Sequence, residues 1–497
     1  MSRFAIRSRS TMLATSLAIL GVLSASSVSL ASAQTASVHA ANSATRWTKI
    51  STDTDLGVGS SAGLFRTEDG RLHVVWSRHD RLNTYSLHYS TVGGRAKLLA
   101  TGAIESHWSS VSFDPRLAPG PKGGIRLVFT GGNGVNNDPH NTGAMYTATS
   151  DSAGKSWTLA SGSMSHSRLV TLTDSAAAVE PNGTPVAARS VFSSLDYHVG
   201  IDPHSPATSA DQHLGIGARG GLINPTLIKT KSGTLLAGWF NNSGRADAGY
   251  WVAQILPSKG TKIKAPKSGG LNLADSQPFQ PVALVARQGG GNYLAYCVPT
   301  KFQVCGHIAL WRVGAARALT VPGSSSGAPK FVAMSASRGG HLWIAWFDDD
   351  ASKIKAVRTN AAATGFGQVR VISPPPRLFN FVGLGTEGSA GPLDLLALEQ
   401  QSNHTPAWFD TQIDPALRIL ASKSIVSSTH ATTITFTVVD AGDAVPGAKV
   451  TFLGHTAQTN SKGVVKFTVK KGTAKGKHTV VATKAGYASA TFTVRVT

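Results

Sequence analysis

Acidic, imidazole and guanidinium side chains gather at a few points of this 497-residue sequence, each just beyond a run of β-forming residues. They are Arg78-His79-Asp80-Arg81, Asn136-Asn137-Asp138-Pro139-His140, Asp196-Tyr197-His198, and Asn241-Asn242 followed by Arg245 and Asp247. Lys301, Asp348-Asp349-Asp350 and Asn403-His404 occupy similar places, while Arg219, Asn224 and Gln280 precede other such runs. Two chemistries use these types. Glycoside hydrolysis needs two carboxylic acids facing each other across a cleft. Asp80, with His79 beside it, would be one, and Asp138, Asp196 or Asp247 the other. Elimination on a uronic-acid polymer needs a base and a cation that neutralises the carboxylate. His140, His198 or Tyr197 is the base type, and Arg245 the cation. The catalytic candidates are thus Asp80, His79 and His140. The ligand-binding candidates are Arg78, Asp138, Tyr197, His198, Arg219, Asn241, Arg245 and Asp247. The opposing reading is that these residues make turns and solvate a rim.

Other matches are set aside. Gly59-Ser60-Ser61-Ala62-Gly63 and Gly323-Ser324-Ser325-Ser326-Gly327 fit a nucleophile-elbow pattern, but that turn requires a following helix and neither has one. Three adjacent acids cannot all face one Ca²⁺, so Asp348-Asp349-Asp350 reads as a solvated loop. No metal and no cofactor is expected.

Residues so far apart converge only if a repeating fold brings their loops together. One phrase recurs seven times: an apolar segment, a glycine turn, then a run of β-formers. Examples are AGLFRTEDGRLHVVW, NPTLIKTKSGTLLAGWF and PKFVAMSASRGGHLWIAWF. The turn glycines are Gly70, Gly124, Gly183, Gly233, Gly290, Gly340 and Gly391, spaced by 54, 59, 50, 57, 50 and 51 residues. A period near 50 with about four strands per unit predicts an all-β propeller over residues 46–419. Seven blades are expected, or six if the irregular third repeat is not one. The segment RWTKIS is expected to supply the last blade's outer strand and close the ring, which removes free sheet edges. The loops after each second strand and those leading into each first strand then share one face, the default ligand site.

The termini differ from this core. Arg3, Arg7 and Arg9, an apolar run from Met12 to Leu23 and Ala31-Ser32-Ala33 make residues 1–33 a secretory signal peptide, with 34–45 a linker. The expected product is secreted, possesses no membrane span, and is a monomer. From residue 420 to 497, alternating strands such as ATTITFTVVD and SATFTVRVT predict a small antiparallel sandwich of charge +8. The whole chain has 47 Lys+Arg against 26 Asp+Glu, +21 in all, which leaves +18 without the signal arginines. Such a field favours polyanions, whether acidic glycans, anionic cell-wall or surface polymers, phospholipid surfaces or nucleic acid. The opposing reading is a trait of solubility and habitat. Glycans and anionic cell-wall or surface polymers are the expected partners. No Arg/aromatic module for nucleic acid stands out, and nucleic acid is not an expected partner. Cys297 and Cys305, the only cysteines, flank seven residues between strand-like runs and suit a local disulfide in an oxidising compartment.

Two families resemble these segments. GAKVTFLGHTAQTNSKGVVKF with TKAGYASATFTVRV looks like the bacterial Ig-like modules of exported proteins, marked by Gly454, Thr459, Gly463, Phe467 and Ala485-Gly486-Tyr487. That resemblance implies a spacing, display or adhesion role. SDSAGKSW, at Ser150, Gly154, Ser156 and Trp157, resembles the Asp-box (BNR) hairpin of sialidase-like propellers, with Ser152 in the aspartate's place. It implies that Ser152 makes a weaker form of the aspartate's bonds to turn N–H groups. Sialidases carry Phe-Arg-Ile-Pro about six residues before an Arg-Thr-x-Asp-Gly turn. The turn is here as Arg66-Thr67-Glu68-Asp69-Gly70, but the arginine position falls on Ser60. Serine has neither the charge nor the fork that clamps a carboxylate. By resemblance, Asp80 and His79 lie where a general acid follows the first blade. The expected protein is a sialidase-like propeller that binds glycans or cell surfaces without intact sialidase activity. An exo-acting glycoside hydrolase or a polysaccharide lyase on acidic sugars is the alternative, and the sequence leaves catalysis open.

Overall fold

Glycine turns set the architecture. Gly70, Gly233, Gly290, Gly340 and Gly391 have positive φ, a backbone state that side chains disfavour. Each closes the hairpin between an inner strand and its neighbour. In the second repeat the positive φ belongs to Gly123, not Gly124; Gly124 is extended there and its N–H donates to Pro121 O. The computed structural model describes residues 46–51, 61–80, 84–108, 110–132, 144–159, 175–179, 185–191, 194–199, 212–213, 222–241, 248–257, 260–269, 280–300, 304–376, 378–401 and 406–497. The signal and linker segments expected at 1–45, and Gly183, lie outside these residues. Among the described residues no helix is long and apolar enough to cross a membrane.

Seven four-stranded antiparallel sheets follow one another along the chain, sheets 1 to 7 below. Their inner strands are Gly63–Arg66, Ser110–Pro119, Ser175–Val179, Leu222–Lys229, Ala283–Ala286, Pro329–Ala336 and Leu378–Glu387. Each touches the next in that order, and the seventh touches the first, so the sheets close into a propeller ring. The irregular third repeat also forms a sheet, with strands Ser175–Val179, Pro185–Val191, Ser194–Val199 and Gln212–His213. Sheet 7 takes only three strands from its own repeat. Thr48–Lys49 is the fourth, with Thr48 opposite Asp410 and Lys49 opposite Phe409. Ser90 Oγ donates to Ile50 O at 2.6 Å and Trp408 N donates to Ser51 Oγ at 2.9 Å, tying this strand to sheets 1 and 7.

The core lies between successive sheets rather than at one centre. Six residues beyond the positive-φ turn glycine stand Trp76, Phe129, Trp239, Tyr296 and Trp346, all fully buried. Trp76, Phe129, Tyr296 and Trp346 fill the gap to the neighbouring sheet, and burying a large apolar side chain contributes about 1.5–3 kcal/mol. Sheet 7 has Ala397 at this place and fills the gap from across it, with Phe381 stacked on Phe347 at 4.2 Å between ring centroids. Cys297 and Cys305 are joined as a disulfide across the hairpin of sheet 5, with Cα atoms 5.2 Å apart.

The SDSAGKSW hairpin corrects one expectation. Asp151, not Ser152, accepts the turn N–H groups, with Oδ1 3.1 Å from Ala153 N and 3.0 Å from Gly154 N. Ser152 is exposed, and its backbone bonds the ring of His73 in sheet 1. A short polar side chain reaches the N–H groups two and three residues further on, and from position 151 these are Ala153 and Gly154. Trp157 Nε1 donates to Gly154 O and its ring lies against Tyr89 of sheet 1. A Cβ on Gly154 would sit 2.5 Å from His73 Nδ1, so only glycine fits. Burial lowers His73 to about 4, and its ring meets Thr67 Oγ1 and Thr91 Oγ1.

The sandwich is made of two sheets sharing one apolar core that includes Phe436, Phe452 and Phe467. Its first strand, Arg418–Ala421, begins two residues before the expected boundary at 420. It is bound firmly to the propeller. Arg358 of sheet 6 pairs with the buried Asp440, and Ala361 N donates to Asp443 Oδ2 at 2.6 Å. Ala488 N donates to Pro415 O at 2.8 Å, and Leu417 N to Ala488 O at 3.1 Å.

A buried ionic group joins sheet 1 to sheet 7. Arg66 pairs with both Glu387 and Asp394, and its Nη1 donates to Gly70 O. Asp410 is fully buried, and no side chain among the described residues hydrogen-bonds either of its oxygens; the charge of Arg66 and the backbone of Thr411 are what favour its ionised form. Burial raises Asp394 to about 6 against the pull of Arg66, and burial with the neighbouring Asp394 raises Asp410 well above the carboxylate range. Raised carboxyls mean that the folded chain binds more protons than the unfolded one. Their contribution is therefore present in acid and lost as pH climbs through about 6 and beyond. Asp410→Asn should raise Tm at pH 8, with the gain shrinking towards pH 4; a Tm at pH 8 no higher than that of the parent would contradict it. Arg66→Met should lower Tm at every pH, since removing one partner of a buried pair costs about 3–5 kcal/mol.

Candidate functional site

Each second strand ends, and each inner strand begins, on the face opposite the glycine turns. The side chains that meet there and at the axis are set by register. Around the ring, the second-strand position two residues beyond the inter-sheet aromatic carries Arg78 in sheet 1, Asn241 in sheet 4, Asp348 in sheet 6 and Glu399 in sheet 7. These lie near the strand ends that face the loops. Asn241 and Asp348 are buried and Arg78 is partly buried.

Asp348 is occupied by the fold. It pairs with Lys355, and its Oδ1 accepts Ala351 N at 3.1 Å, holding the turn that follows. Asp349 pairs with Lys330 at 2.7 Å. Among the described residues no group of three or more His, Cys, Asp or Glu could hold a metal ion.

Glu399 is different. It is fully buried, lies opposite Phe381 and Ala407 in the strand register, and has no hydrogen-bond partner for either oxygen among the described residues. Burial alone raises it to about 8. At neutral pH it is therefore a carboxylic acid with a proton to donate, the state that an apolar setting imposes.

The inner strands enclose an axial cavity of about 230 Å³. Its wall is mostly small or apolar, including Gly63, Ala283 and Ala333, and the polar groups are few: Ser61, Arg116, Thr226, Gln280 and Thr386. Arg116 of sheet 2 donates through Nη1 to Ser61 Oγ at 2.7 Å and to Pro115 O at 3.0 Å. Gln280, 4% exposed, donates through Nε2 to Leu384 O of sheet 7. It thereby reaches from the start of sheet 5 past sheet 6, while its Oε1 has no partner among the described residues. Thr226 Oγ1 is used by Val282 O at 2.6 Å. The cavity wall is thus apolar apart from a few groups, among them a guanidinium held by hydrogen bonds and an acceptor with no partner among the described residues.

The residues expected from sequence fall into three groups. Arg78, His79 and Asp80 are the last residues of the strand Leu72–Asp80, opposite Ser86, Tyr85 and Thr84, and not in a loop; the connection is only residues 81–83. The side chains of His79 and Asp80 lie outside the described set. Tyr197 and His198, with Asp196, were expected in a loop but sit in the third strand of sheet 3, opposite Ala188, Ala187 and Arg189. The connection before them is only residues 192–193, so the strand begins early and carries them below the rim. Asn241 ends its strand, opposite Leu222 and Gly249. Asn224 is buried with positive φ, its carbonyl accepting Val282 N. His140, Asp138, Arg219, Arg245, Asp247, Lys301, Asn403, His404 and Ser60 lie outside the described residues. Arg116 and Glu399 were missed. The available signal was a charge inside an otherwise β-forming or apolar run, SVSFDPRLAP and LDLLALEQQ.

No protein-family model and no curated protein sequence matches the chain. Among solved structures it is similar to the Hadza microbial sialidase Hz136, with TM-score 0.43 and 11% identity over 71% of this chain and 66% of that one, just under two thirds of its length. It is also similar to the Penicillium chrysogenum alpha-L-arabinanase complexed with arabinobiose, with TM-score 0.43 and 10% identity over 64% of this chain and 98% of the other. The Trypanosoma rangeli sialidase has TM-score 0.37 and 11% identity over 88% of this chain and 84% of that one. Likenesses this distant say nothing about a reaction.

Glu399 yields a pH test. Its raised value means its contribution to stability is full in acid and is lost as pH rises through about 8. Glu399→Gln cannot ionise, so its Tm should fall less than the parent's between pH 5 and pH 9. Parallel Tm profiles for the two proteins would show that the carboxyl is ionised and solvated in the fold.

Proposed function

We propose that the chain is an exported glycan-binding propeller that takes an acidic sugar unit at the axial cavity and lacks the sialidase reaction. One observation carries this reading: the Arg116 guanidinium, which donates to Ser61 Oγ and Pro115 O, lines the same cavity as Gln280, whose Oε1 has no partner among the described residues. A carboxylate-bearing sugar complements both, its carboxylate meeting Arg116 and a hydroxyl donating to Gln280. At about 230 Å³ the space is below the roughly 300–1,000 Å³ of drug-sized pockets, which suits a single sugar unit. The net charge of +18 left without the signal arginines supports an anionic ligand by drawing it to the surface. Ser60, standing where sialidase-like propellers place a clamping arginine, supports the absence of that reaction.

A second reading is catalytic, an exo-acting glycoside hydrolase or a lyase on acidic sugars. The observation in its favour is Glu399, a carboxyl that keeps its proton to about pH 8, as a general acid must. In that reading Asp80 is the other carboxylate.

Calorimetric titration with trigalacturonate separates these. The parent should bind, and Arg116→Ala should weaken binding about ten- to a hundredfold, the loss of one charge-assisted contact. Equal affinity of parent and Arg116→Ala, with Tm unchanged, would rule out the axial site. Turnover of sialosides, uronic-acid oligosaccharides or aryl glycosides that disappears in Asp80→Asn would move the assignment to the enzyme.

A further inference from the structure

The sandwich's charge is unevenly distributed, and the joint with the propeller is the reason. Residues 420–497 contain nine lysines, one arginine and two aspartates. Both aspartates are used at the joint: Asp440 by Arg358, and Asp443 by Ala361 N with His341 Nδ1 at 3.8 Å. The rest of the sandwich surface carries no acidic side chain.

The cations concentrate at one end. The connection between the strands Val464–Val469 and Gly476–Thr483 reads Lys470-Lys471-Gly472-Thr473-Ala474-Lys475, and Lys477 follows one residue inside the next strand. Lys477 lies directly opposite Arg495 in the antiparallel pair. Lys470, Lys471, Lys475, Lys477 and Arg495 are all exposed. The loop is held in shape, because Gly472 N donates to Ser428 O at 2.9 Å and Thr473 Oγ1 to Lys470 O at 2.7 Å. Gly472 and Gly476 supply positive φ at its two bends.

This end faces away from the propeller. The strand Gly476–Thr483 runs from the lysine loop to the turn that docks on Pro415, eight residues and roughly 25 Å at about 3.3 Å per residue. Like charges brought together at a rigid tip repel one another, and a polyanion relieves that repulsion by replacing the small counter-ions around them.

We infer that this tip, Lys470 to Lys477 with Arg495, is a docking point for a carboxylated polysaccharide. The choice of polysaccharide rests on the acidic-sugar reading of the propeller; the tip would hold the polymer, and the axial cavity one of its units. Nucleic acid is disfavoured by the side chains present. Four of the five cations are lysines, point charges on flexible stems that follow a charged chain without reading it. The phenylalanine and tyrosine rings of the sandwich are committed elsewhere: Phe436, Phe452 and Phe467 are in its core, Phe492 packs against that core, and Tyr487 is at the joint, bonded to Arg358. The ring at the tip is that of His478, and its Nε2 is engaged by Ala474 O of the lysine loop at 2.8 Å.

The test uses the full chain and sodium polygalacturonate, with neutral dextran as blank. Lys470, Lys471, Lys475 and Lys477 are changed together to Gln. A control changes Lys122, Lys229, Lys231 and Lys262 of the propeller, all exposed, so that net charge falls equally. Polymer binding by the tip variant should weaken by about tenfold or more at low salt, and its dependence on salt concentration should flatten. The control should bind as the parent does. Trigalacturonate affinity should stay unchanged in the tip variant, whereas Arg116→Ala should show the reverse pattern, so the two sites fail separately. Three results would overturn the inference: a tip variant that binds polymer like the parent, a control weakened as much as the tip variant, or tighter tip-dependent binding of oligo(dT) than of polygalacturonate.

Discussion

A ring of antiparallel sheets has no open seam only if its last sheet is finished by a strand from the other end of the chain. Here two residues, Thr48 and Lys49, complete sheet 7, and the neighbouring groups that secure them are numerous for so short a strand. Ser90 holds the carbonyl of Ile50, Ser51 accepts Trp408 N, and Arg66 ties the first inner strand to Glu387 and Asp394. Closure also has an electrostatic cost. It covers Asp410 completely and places three carboxyls around one guanidinium, so part of the group must hold protons to fold well. The axial cavity depends on this seam, since its wall includes the inner strands of sheets 1 and 7 that meet there.

Much of this was legible in the residues. A glycine with positive φ followed six residues later by an aromatic is a local rule, and local rules survive in one-dimensional form. RWTKIS could be placed as the closing strand because a ring with a missing outer strand has one remedy. The disulfide was legible in the spacing of the two cysteines between strand-like runs. What could not be read depends on register and on convergence. Whether Tyr197 is rim or strand depends on a connection of two residues, which composition does not reveal. Arg116 and Gln280 share a cavity although they are 164 positions apart and in different sheets. Glu399 sits in LDLLALEQQ, where a charge near a strand end is ordinarily read as solvent-facing; only the packing of sheet 6 against sheet 7 shows it fully covered.

The Arg358–Asp440 contact has a double effect. It fixes the sandwich against sheet 6, and it removes the negative charge that would otherwise temper the lysines beyond. A domain joined by a loose linker could swing its charge in any direction. This one presents it at a set distance, on the side of the module away from the propeller.

In the hairpin at Ser150 to Trp157 the oxygen that holds the turn comes from Asp151, one place before Ser152, and the glycine bend and the tryptophan's seat against Tyr89 are both in place. A turn N–H needs an acceptor within reach and is indifferent to which neighbouring side chain supplies it. The shape of such a hairpin is therefore more tightly constrained than its letters.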